Sequence, residues 1–403
     1  MKCVILAAGK GTRMFPLTSD RPKPLLQVAG RTIIDHLLDR VAKAGVNEAV
    51  IVIASKDTKV QEHFEEKKTK VRLTFVEQRR QLGTGDALMQ CMDLVRERFL
   101  CLNGDVLVSP GDIEGALRHA KKGEVISGHM SDHPQDYGFI VSKDGMLDHI
   151  VEKPGPEVQS GLVNAGLYVF EPRIFDDLTG IGRSPRGEYE LTDAVPSKRM
   201  AVYELKDYWL DIGYPWHLLE ANELILKEMK GSKVLGTVEK GSTIKGPVHI
   251  GKGTRVLPGT YIQGPAMIGE ECLIGPNAYI RPFTSIGNDC HIGASTEIKN
   301  SIIMDRSNAP HINYMGDSIL GENCNLGAGA KIANLRLDEQ SISMTVKGKR
   351  IDTRRRKLGA IIGHDVKVGI NASISVGAVI GSGTYIGMGA RVSGTVLQNS
   401  RIH

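Results

Sequence analysis

Ile262-Gln263-Gly264-Pro265-Ala266-Met267-Ile268-Gly269-Glu270-Glu271-Cys272-Leu273-Ile274-Gly275 carries an aliphatic residue at every sixth position, with glycine after two of them. Counted outward, the same phase runs through Ile244, Ile250, Val256, Ile262, Ile268, Ile274, Ile280, Ile286, Ile292 and Ile298, all of them Ile or Val. It resumes at Leu320, Leu326 and Ile332, and again at Ile362, Val368, Ile374, Ile380, Ile386 and Val392. A six-residue period is the pattern of a β-helix, in which each repeat forms one side of a coil. Residues 236–403 therefore predict a left-handed parallel β-helix of about nine coils stacked at roughly 4.8 Å, aliphatic residues inward. Cys272, Cys290 and Cys324 each fall four residues after a core aliphatic, where a small inward side chain fits. Packing, not metal binding, is the expected role. The count breaks over Met304–Asp317 and Leu335–Gly359, and both breaks are candidate functional loops.

The other half of the 403-residue chain has a different grammar. Short aliphatic runs (Lys2–Leu6, Ala49–Ile53, Arg72–Val76, Phe99–Leu102, Val125–His129) alternate with helical patterns at Ile33–Ala44 and Asp86–Val95. That alternation predicts a sheet of parallel strands flanked by helices, which binds ligands beyond the carboxyl ends of its strands. Trp216–Met229 reads as a connecting helix. The expected domains are residues 1–225, a connecting segment 226–235, and 236–403.

Composition narrows the class. Hydrophobic content of 41% and charged content of 24% are those of a soluble globular protein. The longest apolar runs are strand-sized, so no membrane span is expected. The apolar run Val4–Leu6 is too short for a secretory leader. The net charge of +5 is spread along the chain and aromatic residues make up 5%, so nucleic acid is not the expected partner. Anionic small substrates account for the balance. Six cysteines without a C-x-x-C pair suit a reducing, cytoplasmic setting.

Chemistry-bearing motifs cluster in the first half. Leu6-Ala7-Ala8-Gly9-Lys10-Gly11-Thr12-Arg13 follows the first strand, with glycines that let backbone amides approach phosphates and an arginine for their outer oxygens. It is neither a Walker A loop nor a complete dinucleotide fingerprint, since Met14 stands at the third glycine position. Downstream come Arg21-Pro22-Lys23-Pro24, then Gln78 before Leu82-Gly83-Thr84-Gly85-Asp86, and Asn103-Gly104-Asp105 at a strand end. Tyr137-Gly138, Glu152-Lys153-Pro154, Asn164-Ala165-Gly166 and Trp209-Leu210-Asp211 complete the set.

On these motifs residues 1 to about 225 resemble the sugar-1-phosphate nucleotidylyltransferases. The resemblance implies a Rossmann-like mixed-sheet domain that joins a sugar 1-phosphate to a nucleoside triphosphate and releases pyrophosphate. It further implies that Ala8, Gly9, Gly11, Thr12 and Arg13 hold the triphosphate and that Lys23 meets the α-phosphate region. Gln78, Gly83 and Thr84 would receive a pyrimidine base, from UTP or dTTP. Asp105 and Asp211 would bind Mg²⁺, and Gly138, Glu152, Lys153 and Asn164 would hold the sugar phosphate. No general base is required, because the attacking phosphate oxygen is already anionic.

In the repeat half, Lys299 and Pro310-His311-Ile312-Asn313-Tyr314-Met315-Gly316-Asp317 resemble the acetyltransferase domain of the bifunctional enzymes that make UDP-N-acetylglucosamine, their archaeal relatives above all. By that resemblance His311 is a general base for an amine, Arg281, Lys299 and Tyr314 hold an amino-sugar phosphate, Asn325 and Asn334 line the site, and acetyl-CoA is the co-substrate. One departure is Ile370, where the bacterial family places a serine near acetyl-CoA. The basic run Lys347, Lys349, Arg350, Arg354, Arg355, Arg356 and Lys357 reads either as a contact for coenzyme A phosphates or as a solvated loop or subunit contact. A homotrimer or higher assembly is expected, as is usual for hexapeptide-repeat domains. Two other readings stay open on sequence alone. One is a single-function thymidylyl-, guanylyl- or adenylyltransferase whose β-helix only assembles subunits; the other is a homologue that binds nucleotide without turnover.

Overall fold

The computed structural model describes every residue except Lys56, Glu66 and Ser197. The chain forms two compact units. The first comprises Met1–Lys10, Pro22–Leu25 and Ile33–Ile212; the second comprises Gly11–Arg21, Leu26–Thr32 and Gly213–His403.

The first unit is built on a nine-stranded sheet in the order Arg72–Gln78, Glu48–Ala54, Lys2–Leu6, Phe99–Asn103, Gly161–Phe170, Glu124–Ser131, Met200–Glu204, Met146–Glu152 and Gly138–Lys143. The first four strands are mutually parallel. Gly161–Phe170 runs antiparallel to both its neighbours, which makes the sheet mixed. Alternation of side chains sends Cys3 and Ile5 into one apolar layer and Val4 and Leu6 into the other. Burial on both faces explains why the first strand reads as an unbroken aliphatic run. The helix Ile33–Lys43 covers one face, with Ile34, Leu37, Leu38 and Val41 in the first layer. The expected helix Asp86–Val95 is shorter, spanning Thr84–Met89 and continuing as turns.

The second unit is a parallel β-helix of three sheets with nine, nine and eight strands among the described residues. Ile250 pairs with Ile268 and Ile268 with Ile286, a spacing of one coil, and the other two sides repeat it at Val256, Ile274, Ile292 and at Ile262, Ile280, Ile298. These residues form one continuous core that also contains Cys272, Cys290 and Cys324. The break expected over Met304–Asp317 is not an excursion. The coil runs straight through it, with Ile286 on Ile303, Ile292 on Ala309, Ile298 on Met315 and Ile303 on Leu320. Two stacked corners, 299–302 and 316–319, are each one residue short, which shifts the phase. The break at 335–359 is a true insertion: strands Ile342–Val346 and Lys349–Arg355 form an antiparallel hairpin. Lys347 and Gly348 turn it with φ of 51° and 75°, the backbone twist that two-residue hairpin turns require.

Gly11–Arg21 packs within this second unit. The Leu17 carbonyl accepts from His364 Nε2 at 3.1 Å, and Arg21 pairs with Glu322, which also receives Arg306 at 2.7 Å. The expected connecting helix is observed as His217–Lys227. Its buried Asn222 accepts from the Ala29 N–H at 3.0 Å and donates to the Phe283 carbonyl at 2.7 Å. No described helix is long and apolar enough to cross a membrane.

Two candidate active sites

In the first unit the parallel strands end together. Leu6 pairs with Asn103, Ala54 pairs with Gln78, and the Gly104 N–H donates to the Leu6 carbonyl at 2.9 Å. Asp105 therefore emerges at the carboxyl edge of the sheet. Strand Trp209–Asp211 pairs antiparallel with Val106–Val108, setting Asp211 opposite Val106. The Ile212 N–H closes the pair on the Asp105 carbonyl at 2.9 Å. Lys23, 7% exposed, reaches Asp105 Oδ2 at 2.6 Å. The backbone thus brings Asp211 beside the Asp105 that Lys23 meets, from positions up to 188 apart in sequence.

The residues expected at the base are organised around a turn. Gln78 is buried, and its amide donates to the Gly83 carbonyl at 3.0 Å and to Asp86 at 2.7 Å. Its visible role is to hold the Gly83 turn, with the amide nitrogen already engaged. Gly83 adopts a φ of 107°, and a Cβ there would stand 2.5 Å from the Tyr189 carbonyl, so glycine is required. Thr84 Oγ1 accepts from the Leu191 N–H at 3.0 Å. Gln81 and Tyr189, neither singled out from sequence, complete this wall: Gln81 Nε2 donates to the Ala8 carbonyl at 2.6 Å, and Tyr189 exchanges backbone hydrogen bonds with Leu82 and Gly85.

The residues expected at the sugar phosphate also meet. Glu152 pairs with Gly138 across a hairpin, and a Cβ on Gly138 would lie 3.2 Å from Glu152 Oε2 and 3.8 Å from Asn164 Cβ. Lys153 follows with a left-handed φ of 50°, its N–H donating to the Tyr137 carbonyl. Asn164 donates to the Tyr168 hydroxyl at 2.6 Å and accepts from the Gly166 N–H at 3.1 Å, which locks its amide. Burial pushes the Tyr168 hydroxyl well above its ordinary pKa, so it remains a neutral partner. Arg186 bridges Glu152 and Glu190, at 3.2 Å to each. Trp209 packs edge-on to Tyr137 and donates to the Ala165 carbonyl at 2.8 Å.

Gly11, Thr12 and Arg13 belong to the second unit. Gly11 has φ 61° and caps the short 3-10 turn Thr12–Met14, and the Arg13 guanidinium lies over the Tyr214 ring at 5.2 Å.

The β-helix gathers the other set. Arg281, Lys299, Tyr314 and Asn334 line one edge of a single sheet and its corner, through the register Tyr279–Glu297–Tyr314 and Lys299–Gly316. Arg281 pairs with Glu297 at 2.7 Å, and the Tyr314 hydroxyl donates to Asn334 Oδ1 at 3.3 Å. Burial first, then the charges of Glu297 and Asp317, raise the Tyr314 pKa, so the hydroxyl stays a donor. His311 ends the neighbouring strand, beyond one corner. Its N–H donates to the Oδ1 of buried Asn313 at 3.1 Å, and Asn313 Nδ2 donates on to the Gly327 carbonyl at 2.8 Å. The imidazole is exposed and has no hydrogen bond among the described residues. Asn325 stands in the column His291–Asn308–Asn325 of the His311 sheet. His291 has its pKa lowered, by burial first and then by His311. Asp317, unassigned from sequence, lies at the centre of this set.

A nucleotidyl transferase family model matches residues 2–228, and a GMPPB C-terminal domain model matches residues 262–358. The bifunctional protein GlmU of Methanococcus maripaludis is 41% identical over 414 residues, covering 100% of this chain and 97% of its own. A bifunctional sugar-1-phosphate nucleotidylyltransferase/acetyltransferase of Sulfurisphaera tokodaii is 40% identical, with 93% and 92% covered. A crystal structure of UDP-glucose pyrophosphorylase complexed with UDP-glucose superposes with a TM-score of 0.50 at 22% identity, over 56% of this chain and 98% of that one, a likeness of fold. Over its whole length, then, the chain belongs to the GlmU-type family of bifunctional sugar-1-phosphate nucleotidylyltransferase/acetyltransferases.

Proposed function

We propose that the chain makes UDP-N-acetylglucosamine in two steps. In the β-helix, the amine of glucosamine 1-phosphate attacks the thioester carbon of acetyl-CoA. A C–N bond forms, the C–S bond breaks, and His311 takes the amine proton and returns it to the departing thiolate. Proton transfer by a placed imidazole contributes typically about 10²–10⁴-fold. Arg281, Lys299 and Tyr314 hold the phosphate and sugar, with Asn325 and Asn334 at the rim.

In the first unit, a phosphate oxygen of the sugar 1-phosphate attacks the α-phosphorus of UTP, or dTTP, in line, and pyrophosphate leaves. Positioning and charge neutralisation are the whole of this catalysis. Lys23 offers its ammonium to the α-phosphate, Gly83 and Thr84 wall the base, and Gly138, Glu152, Lys153 and Asn164 grip the sugar phosphate. Asp105 and Asp211 suit Mg²⁺, which takes one or two carboxylates and fills its shell with water and substrate oxygens. When bound, the ion would neutralise phosphate charge.

The observation that supports the reading most is the convergence of Lys23, Asp105 and Asp211 at the carboxyl edge of parallel strands. A homotrimer is proposed with it: Ile312, Ile370 and Met388 are exposed apolar residues near one corner of the β-helix, where a second copy would cover them. The six free cysteines are all buried, which suits the cytoplasm. The test is a matrix of nucleoside triphosphates against sugar 1-phosphates, run with and without acetyl-CoA. Pyrophosphate release only with UTP or dTTP, and thiol release only with glucosamine 1-phosphate, are expected. Absence of either from wild-type protein removes that activity.

A further inference from the structure

The two shortened corners of the β-helix place one carboxylate under the proposed acetyltransferase site. Asp317 is 2% exposed and has a left-handed φ of 48°, a conformation that aspartate and asparagine tolerate better than most residues. One coil below, Asn300 does the same with φ 43°. With one residue missing from each corner, Lys299 stacks on Gly316 and both Lys299 and Asn300 reach the next coil. Lys299 Nζ donates to Asp317 Oδ2 at 3.1 Å, and Asn334 Nδ2 donates to the same oxygen at 2.5 Å. Asn300 Nδ2 donates to Oδ1 at 2.8 Å and also reaches Glu223 at 3.1 Å. Every partner of the carboxylate is a donor.

We infer that Asp317 is the positioning residue of the acetyltransferase site, fixing Lys299 and the amide of Asn334 for the amino-sugar phosphate. The inference rests on the acetyltransfer reading above. Its logic is one of donors and acceptors. Because Asn334 Nδ2 is turned to the carboxylate, Oδ1 must face Tyr314 and accept its hydroxyl hydrogen. Asp317 thereby sets the orientation of Tyr314 through Asn334, and that of the Lys299 ammonium directly. The carboxylate touches none of the reacting atoms, and its effect passes through these two side chains. A buried carboxylate is held in this way when charged and polar donors meet it, as three donors meet Asp317 here, on both of its oxygens.

Asp317→Asn turns one of the two acceptor oxygens into a donor facing Lys299 and Asn334, or facing Asn300. The expected result is a KM for glucosamine 1-phosphate raised about tenfold, with kcat changed less than about threefold and the KM for acetyl-CoA unmoved. A merely structural role would move the melting temperature and leave this split absent. Lys299→Met combined with Asp317→Asn removes both charges together, so it keeps a foldable core should the single variant unfold. That pair is expected to raise the same KM about threefold beyond Lys299→Met alone, through the misaligned Asn334. A KM within twofold of wild type for Asp317→Asn, or equality of the pair with Lys299→Met, overturns the inference. Wild-type protein that releases no thiol instead sinks the acetyltransfer reading, and this inference with it.

Discussion

Lys23 Nζ lies 2.6 Å from Asp105 Oδ2, and the lysine side chain is 9% exposed while the aspartate is 34% exposed. A sequestered ammonium thus points at a carboxylate that still opens to solvent, where a metal and a triphosphate can reach it. In the proposed reaction Lys23 would offset phosphate charge directly, and Asp105 would do so by holding the metal ion. Asp105→Ala and Lys23→Ala are each expected to lower Mg²⁺-dependent pyrophosphate release by roughly 100-fold or more. Pyrophosphate release at the wild-type rate in Asp105→Ala would remove that aspartate from the site.

The proposed reading gives His311 a part in acetyl transfer alone. His311→Ala should reduce thiol release from acetyl-CoA by about 10²–10⁴-fold and leave pyrophosphate release from UTP and N-acetylglucosamine 1-phosphate unchanged. Both rates can be read on one preparation. A parallel fall in the two would mean that the substitution had damaged the fold.

Glu322 gives a pH signature. Burial alone would raise its pKa, but Arg21, then Arg306 and His364, pull it below the ordinary carboxylate value. A depressed folded pKa stabilises the protein above the unfolded value, and that contribution is lost as pH falls through the folded one. Glu322→Gln should therefore lower the melting temperature by about 2 °C at pH 7. The gap to wild type should close as the pH is brought below about 4. A gap that stays constant from pH 7 to pH 3 contradicts the ion pair with Arg21 as its source.

The stacked core sets the stability of the coils. Ile292 is fully buried between Ile274 below and Ala309 above. Ile292→Ala should cost about 2–4 kcal/mol in denaturant unfolding, since the coils on either side cannot collapse into the void. Tyr279→Ala, on the outer face of the same coil, should cost less than about half of that. Equal costs would deny the inward column its role.

Periodicity made the β-helix legible because a hexapeptide repeat is local: each inward Ile or Val announces itself six residues from the next, whatever lies around it. The alternation of strands and helices in the first half, and the motifs at strand ends, were readable for the same reason. The chain left unsaid what depends on distant neighbours. Asp105 and Asp211 meet only because Val106 and Asp211 pair across more than a hundred residues. Gln78 reads as a base receptor in sequence; that its amide nitrogen also holds the Gly83 turn shows only in the fold. The apparent break at Met304–Asp317 is two one-residue deletions whose purpose appears only when coils stack, one above the other, and bring Lys299, Asn300 and Asn334 onto Asp317. A repeating backbone is written in short-range pattern; a buried carboxylate and its donors are chosen by contacts between coils, which no single stretch of the chain contains.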